Sequence, residues 1–124
     1  MKIIFVPVKE EMDPSNHTIF VANFRLGFFG FSLYLIDTKG SIDPQLIEAA
    51  RILDRALGKR YLCILQIGNS TWIWYTSDNE YQTKTEYQKV LRQLKYGENV
   101  IFNDLGESKI RSIRLSWRAV EIEW

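Results

Sequence analysis

The sequence predicts an α+β fold: an antiparallel sheet with two helices on one face, built on a ferredoxin-like βαββαβ core with an extra strand at each end. Three observations lead there. Tyr61 to Thr76 reads as a β-hairpin. Two stretches, Asp43–Leu57 and about Glu80–Tyr96, carry apolar residues at helical spacing between capping signals. Around them the elements run strand, helix, strand, strand, helix, strand. At 124 residues the chain makes one domain, 1–124, long enough for its own core.

The hairpin anchors the reading. Tyr61 to Ile67 is aliphatic, and Thr71 to Thr76 is aromatic and β-branched. Gly68-Asn69 between them suits a two-residue type II′ turn, because glycine takes the positive φ of the first central position at little cost. That turn sets Leu65 opposite Trp72, Cys63 opposite Trp74 and Leu62 opposite Tyr75. One face then carries Tyr61, Cys63, Leu65, Ile67, Trp72 and Trp74, and the other Leu62, Ile64, Ile73 and Tyr75 with Gln66. A three-residue turn would regroup them. Both faces are apolar, so helices on one side leave the second to be covered by more chain, another subunit or a partner.

Along the chain, Lys2 to Val8 is a short apolar strand, and Pro7, which cannot donate to a ladder, places it at an edge. Glu10 to His17 is a polar loop with an Asp-Pro turn signal. Thr18–Leu26 and Phe29–Asp37 are strands joined by a turn or bend in Gly27-Phe28-Phe29-Gly30, or one long strand with a bulge. Asp43 caps the first helix and Pro44 suits its first position. Ile42 and Ile47 form a hydrophobic staple, Leu46, Ala50, Leu53 and Leu57 the buried stripe, and Gly58 the stop. The second helix opens on a capping box, Ser77 with Glu80 or Thr83 with Glu86. It buries Tyr87, Val90, Leu91 and Leu94 and ends at Gly97. Asn99 to Asn103 is a short strand. Lys109 to Trp124 is strand-like but changes phase: Ile113, Leu115, Trp117 and Ala119 share one parity, and Val120, Ile122 and Trp124 the other. A bulge or corner near Ala119-Val120 would reconcile them.

Composition narrows the function. Sixteen basic and fifteen acidic residues leave a net charge of +1, which gives no global field toward nucleic acid or an anionic membrane. The single cysteine, Cys63, has no disulfide partner in the chain, which fits a reducing compartment, the cytoplasm. No secretory signal is expected at the start. Ile19 to Ile36 is long enough to span a bilayer, but a central Arg25 costs about 2.5–3.5 kcal/mol there, and two strands explain the run better.

No cofactor or metal is expected. His17 and Cys63 are the only residues of their types, and a structural zinc site needs about four ligands. Cys63 among Trp72, Trp74 and Leu65 is expected to be inert. There is no nucleophile elbow, P-loop or dinucleotide fingerprint. The carboxylates Glu10, Glu11, Asp13, Asp37, Asp104 and Glu107 fall in turns and loops, where backbone bonding and solvation account for them.

What stands out is the aromatic content: four Trp, six Tyr and seven Phe. Aromatics and arginine anchor protein interfaces. Trp117, Arg118 and Trp124 gather where the alternation breaks. The expected function is therefore a small, non-catalytic protein-binding domain, such as an inhibitor or immunity-type neutraliser of a toxin, or an accessory regulator of an enzyme. Trp117, Arg118, Trp124, Trp72, Trp74 and Arg114 are the candidate partner-binding residues, and a homodimer would also use such a surface. The alternatives are RNA or single-stranded nucleic-acid binding through Trp72, Trp74 and a basic strand, and a small enzyme without recognisable motifs.

Overall fold

The computed structural model describes residues 5–13, 18–26, 29–39, 58–103, 105, 112–115 and 120–123. Five strands form an antiparallel meander in chain order: β1 (Phe5–Asp13), β2 (Thr18–Leu26), β3 (Phe29–Asp37), β4 (Tyr61–Ile67) and β5 (Ser70–Ser77). Helix α1 (Glu80–Lys95) follows. A second sheet then runs β6 (Val100–Asn103), β7 (Ser112–Leu115) and β8 (Val120–Glu123).

This order overturns the ferredoxin-like βαββαβ core. In that core Phe29–Asp37 and Tyr61–Ile67 would run parallel, with Ser70–Ser77 inserted between them. Here β3 and β4 are direct antiparallel neighbours, from Phe31 opposite Ile67 to Asp37 opposite Tyr61. The final strand of the expected core, β6, belongs to the other sheet. The physical reason lies at the ends of β3 and β4. A parallel crossover must carry the chain to the far end of the sheet, whereas this connection returns to the end it left. There Thr38 N–H donates to the Arg60 carbonyl at 2.9 Å and the Arg60 guanidinium grips Asp37. The expected pair of helices on one face is corrected with it: among the described residues there is one helix, and Asp43–Leu57 lies outside them.

The hairpin turns at Gly68-Asn69 as predicted, with Gly68 at φ 56°. Leu65 faces Trp72 and Ile64 faces Ile73, but Cys63 then faces Tyr75, so Trp74 is the extra residue of a β-bulge. The bulge corrects the expected faces, since Tyr75 now packs beside Trp74 on the helix side of the sheet. Apart from this shift the two-sided reading holds. Tyr61 through Leu65 are all buried, alternately into a core shared with α1 and into a second cluster of Ile36, Leu62, Ile64 and Ile73 on the opposite face.

β1 is the sheet's edge, as Pro7 suggested, but it continues through Glu10, Glu11 and Asp13, which were expected in a loop. Register shifts at Pro7/Lys9 and Glu11/Asp13 let an edge strand carry a proline and charges and still pair with β2. The change of phase near the C-terminus is also resolved differently. Lys109 to Trp124 is not one bulged strand: β7 and β8 pair antiparallel, Leu115 with Val120 and Ile113 with Ile122. Partners across this reversal have opposite parity, so the apolar residues of both strands keep common register positions.

Helix α1 seals the larger core with Thr83, Tyr87, Val90, Leu91 and Leu94. Val100 and Phe102 of β6 join it, and the Leu105 N–H donates to the Ile73 carbonyl at 2.8 Å, tying the segment after β6 onto β5. The N-cap is Asn79 rather than Ser77 or Thr83. Its Oδ1 accepts from Gln82 N–H at 3.0 Å, while Ser77 Oγ accepts from Asn79 N–H at 3.0 Å, so the serine supports the cap from outside. At the other end Gly97 (φ 73°) closes a Schellman motif: Gly97 N–H donates to the Leu94 carbonyl and Glu98 N–H to that of Gln93. Asn79→Ala should cost about 1 kcal/mol in a urea melt, because the Gln82 N–H loses its acceptor. Asn79→Ser should recover most of that loss.

Candidate functional site

Each residue of the predicted interface can now be placed. Trp72 is 4% exposed and packs in the core under α1. Trp74 is half-buried and meets Phe102 edge-on, ring centroids 4.9 Å apart. Arg114 occupies β7 opposite Ile101 and Glu121. Trp117, Arg118 and Trp124 lie outside the described residues, as does His17. The structure thus turns both hairpin tryptophans toward the core, which leaves little of the stacking platform that a nucleic-acid reading would use.

The groups with potential chemistry are engaged in holding the fold. Asp37 accepts Arg60 Nε at 3.0 Å and Arg60 Nη2 at 2.7 Å, and also takes the Lys39 N–H at 3.1 Å. Hydrogen bonding to Asp37 raises the Arg60 pKa above its ordinary value. Asp78 accepts the Arg60 N–H at 3.0 Å and sits 3.5 Å from Lys59 Nζ. This cluster clamps β3, β4 and the end of β5 together just before α1 starts. Cys63 is fully buried, with Sγ 3.8 Å from the Thr83 carbonyl, and burial pushes its thiol pKa well up, with Glu86 adding to the shift. The thiolate is the form that attacks thiol reagents. Cys63 should therefore stay unlabelled in native protein at pH 8 and react at the rate of a free thiol in denaturant, as followed by mass spectrometry. Among the described residues no group of three or more His, Cys, Asp and Glu is placed to hold a metal, and no helix is long and apolar enough to cross a membrane.

The outer side of α1 is different. Opposite its buried stripe, Tyr81, Thr85, Gln88, Arg92 and Tyr96 recur at steps of four, three, four and four residues, which puts them on one line down the helix. All five are exposed, Tyr81 by 78% and Tyr96 by 72%. The line runs about 22 Å at 1.5 Å per residue. It contains no carboxylate. Lys84, Lys89 and Lys95 border it, and the nearest acids of the helix stand behind two of those lysines: Glu80 at 3.3 Å from Lys84 and Glu86 at 3.2 Å from Lys89. Around Tyr96 the surface is hollowed on two sides. One depression of about 560 Å³ is lined by Gln88, Leu91, Arg92, Lys95 and Tyr96, and another of about 350 Å³ by residues that include Thr85, Gln93 and Glu98. Tyr96 stands in the wall of both.

The sequence contained this line, since it is the complement of the predicted stripe Tyr87, Val90, Leu91 and Leu94. The phase set by that stripe is the signal that places Tyr81 and Tyr96 outside. No protein family, curated protein or solved structure matches the chain.

Proposed function

We propose that this chain is a small, non-catalytic protein-binding domain whose outer α1 line docks an acidic surface of another protein. The observation that carries the reading is the composition of that line. A helix face that only meets solvent carries mixed Lys and Glu. This one is Tyr, Thr, Gln, Arg and Tyr, without an acid, bordered by lysines. Tyrosine and arginine are the types enriched at energetic centres of interfaces, and lysine borders suit a polar rim that steers an acidic partner. The hollows beside Tyr96 would receive partner side chains, and Arg92 would pair with a carboxylate. A neutraliser of a toxin or an accessory regulator of an enzyme is the kind of protein such a surface serves. The lone, deeply buried thiol of Cys63 favours the cytoplasm as the compartment.

The test compares wild type with Tyr96→Ala and Arg92→Glu in quantitative binding to a copurified partner, after melts establish that both variants fold. Both positions are exposed, so stability should change by less than about 0.5 kcal/mol. Each variant should weaken binding tenfold or more, about 1.4 kcal/mol. Normal affinity in both variants would remove α1 as the interface. Nuclease-sensitive binding that collapses with salt would instead favour the nucleic-acid alternative.

A further inference from the structure

On the sheet face turned away from α1, one row of cross-strand partners is polar, and it borders an apolar row on one side only. Asn23, Ser32, Gln66 and Thr71 stand opposite one another across β2 to β5, with Lys9 at the same register position on β1. The next row toward the Gly68-Asn69 turn brings Arg25 opposite Gly30. Together with Phe24 and Phe31, the residues Asn23, Arg25, Gly30, Ser32, Gln66 and Gly68 line an open, shelf-like depression of about 370 Å³. In the other direction the face becomes apolar, with Tyr34, Ile64 and Ile73.

The donors of this shelf outnumber its acceptors. Ser32 Oγ donates to Asn23 Oδ1 at 2.6 Å, which turns the amide oxygen toward Ser32 and the NH₂ group away from it. The exposed Arg25 supplies a guanidinium, and the half-buried Gln66 a second amide. Among the described residues no carboxylate lines the depression.

Gly30 gives the second, independent indication. Glycine weakens a strand by roughly 0.5–1 kcal/mol relative to alanine. Within a strand it often marks a bulge, a tight bend, or the close approach of another backbone or a ligand, and the β2–β3 register runs through Gly30 without a bulge. Here φ is not positive, and among the described residues a Cβ would meet only the Phe24 carbonyl, at an ordinary 3.5 Å. The fold leaves room for a side chain at this position, and its absence keeps the floor of the shelf open.

We propose that this shelf binds a small free carboxylate. Arg25 would take the carboxylate through its planar fork of N–H groups, while Asn23 and Gln66 supply amide N–H groups to the same ligand over the bare backbone of Gly30. This site stands on the opposite side of the sheet from α1 and does not depend on the docking surface proposed above.

The test titrates the full chain with glutarate while backbone amide resonances are followed. Shifts should concentrate at residues 23–25, 30–32 and 66–68, and neutral glutaramide should produce none. Gly30→Val fills the floor with a strand-favouring side chain, so it should melt no lower than wild type yet bind glutarate at least tenfold more weakly. Arg25→Gln, an exposed change that does not touch the core, should weaken binding by a similar factor and keeps the question open to test even if the valine variant misfolds. The proposal is overturned if glutarate moves no resonance of the shelf, if glutaramide binds as well, if inorganic phosphate binds more tightly than glutarate, or if both variants keep wild-type affinity.

Discussion

Alanine in place of Tyr87 should destabilise the protein by about 3–5 kcal/mol, the cost of deleting a fully buried aromatic ring. Domains of this size are stable by only about 5–15 kcal/mol, so the variant should be marginal at room temperature. Burial and two contacts make the position central. The ring is completely buried. It stacks on Phe20 of β2 with centroids 5.6 Å apart and planes 16° from parallel. Its hydroxyl donates to the Leu33 carbonyl in β3 at 3.0 Å, inside the core. One side chain of α1 therefore touches two strands that are distant in sequence. Tyr87→Phe separates the terms: it keeps the ring and loses the hydroxyl, and should cost about 1 kcal/mol. Urea melts of both variants check this. If the alanine variant lies within about 1 kcal/mol of wild type, α1 does not seal the core as described.

Tyr87 also illustrates what could be read in the sequence. Its place on the buried side of α1 follows from its spacing to Val90, Leu91 and Leu94, because helix periodicity is a local property. The hairpin turn was legible for the same reason, since Gly68-Asn69 carries its own backbone preference. The partner of its hydroxyl, 54 residues away, was not legible. Nor was the strand order. Phe29–Asp37 and Tyr61–Ile67 have the same apolar composition whether they pair parallel or antiparallel, and what separates the two is the clamp of Arg60 on Asp37 across the ends of β3 and β4. The bulge at Trp74 is of the same kind. Trp-Ile-Trp looks like clean alternation, and the residue is displaced where it meets Phe102, a contact from another sheet. The C-terminal change of parity was legible as an irregularity, but a hairpin, not a bulge, was its cause. For function, the exposed line of α1 follows from the phase of the predicted stripe, whereas the polar row from Asn23 to Thr71 could be derived only once the strand order was known.

The second large effect is expected on the other side of the sheet. Ile64→Ala should cost about 2–5 kcal/mol, as much as Leu65→Ala, although the two side chains point to opposite faces. Both are fully buried. Leu65 belongs to the core beneath α1, and Ile64 packs with Ile36, Leu62 and Ile73, with Tyr34 at the margin. In a sheet with one solvated face, adjacent strand residues should differ sharply, the inward one costing several kcal/mol and the outward one almost nothing. Gln66 supplies the internal comparison. It lies on the same face as Ile64, two residues along β4, but is half-buried in the polar row, and Gln66→Ala should cost less than about 1 kcal/mol. Chemical melts of the three variants therefore map where the apolar part of this face ends. Equal, large losses at Ile64 and Leu65 with a small one at Gln66 would place the boundary between Ile64 and Gln66, where the proposed carboxylate shelf begins. A small loss at Ile64 would mean that its burial contributes little to folding and that the sheet rests on the α1 side alone.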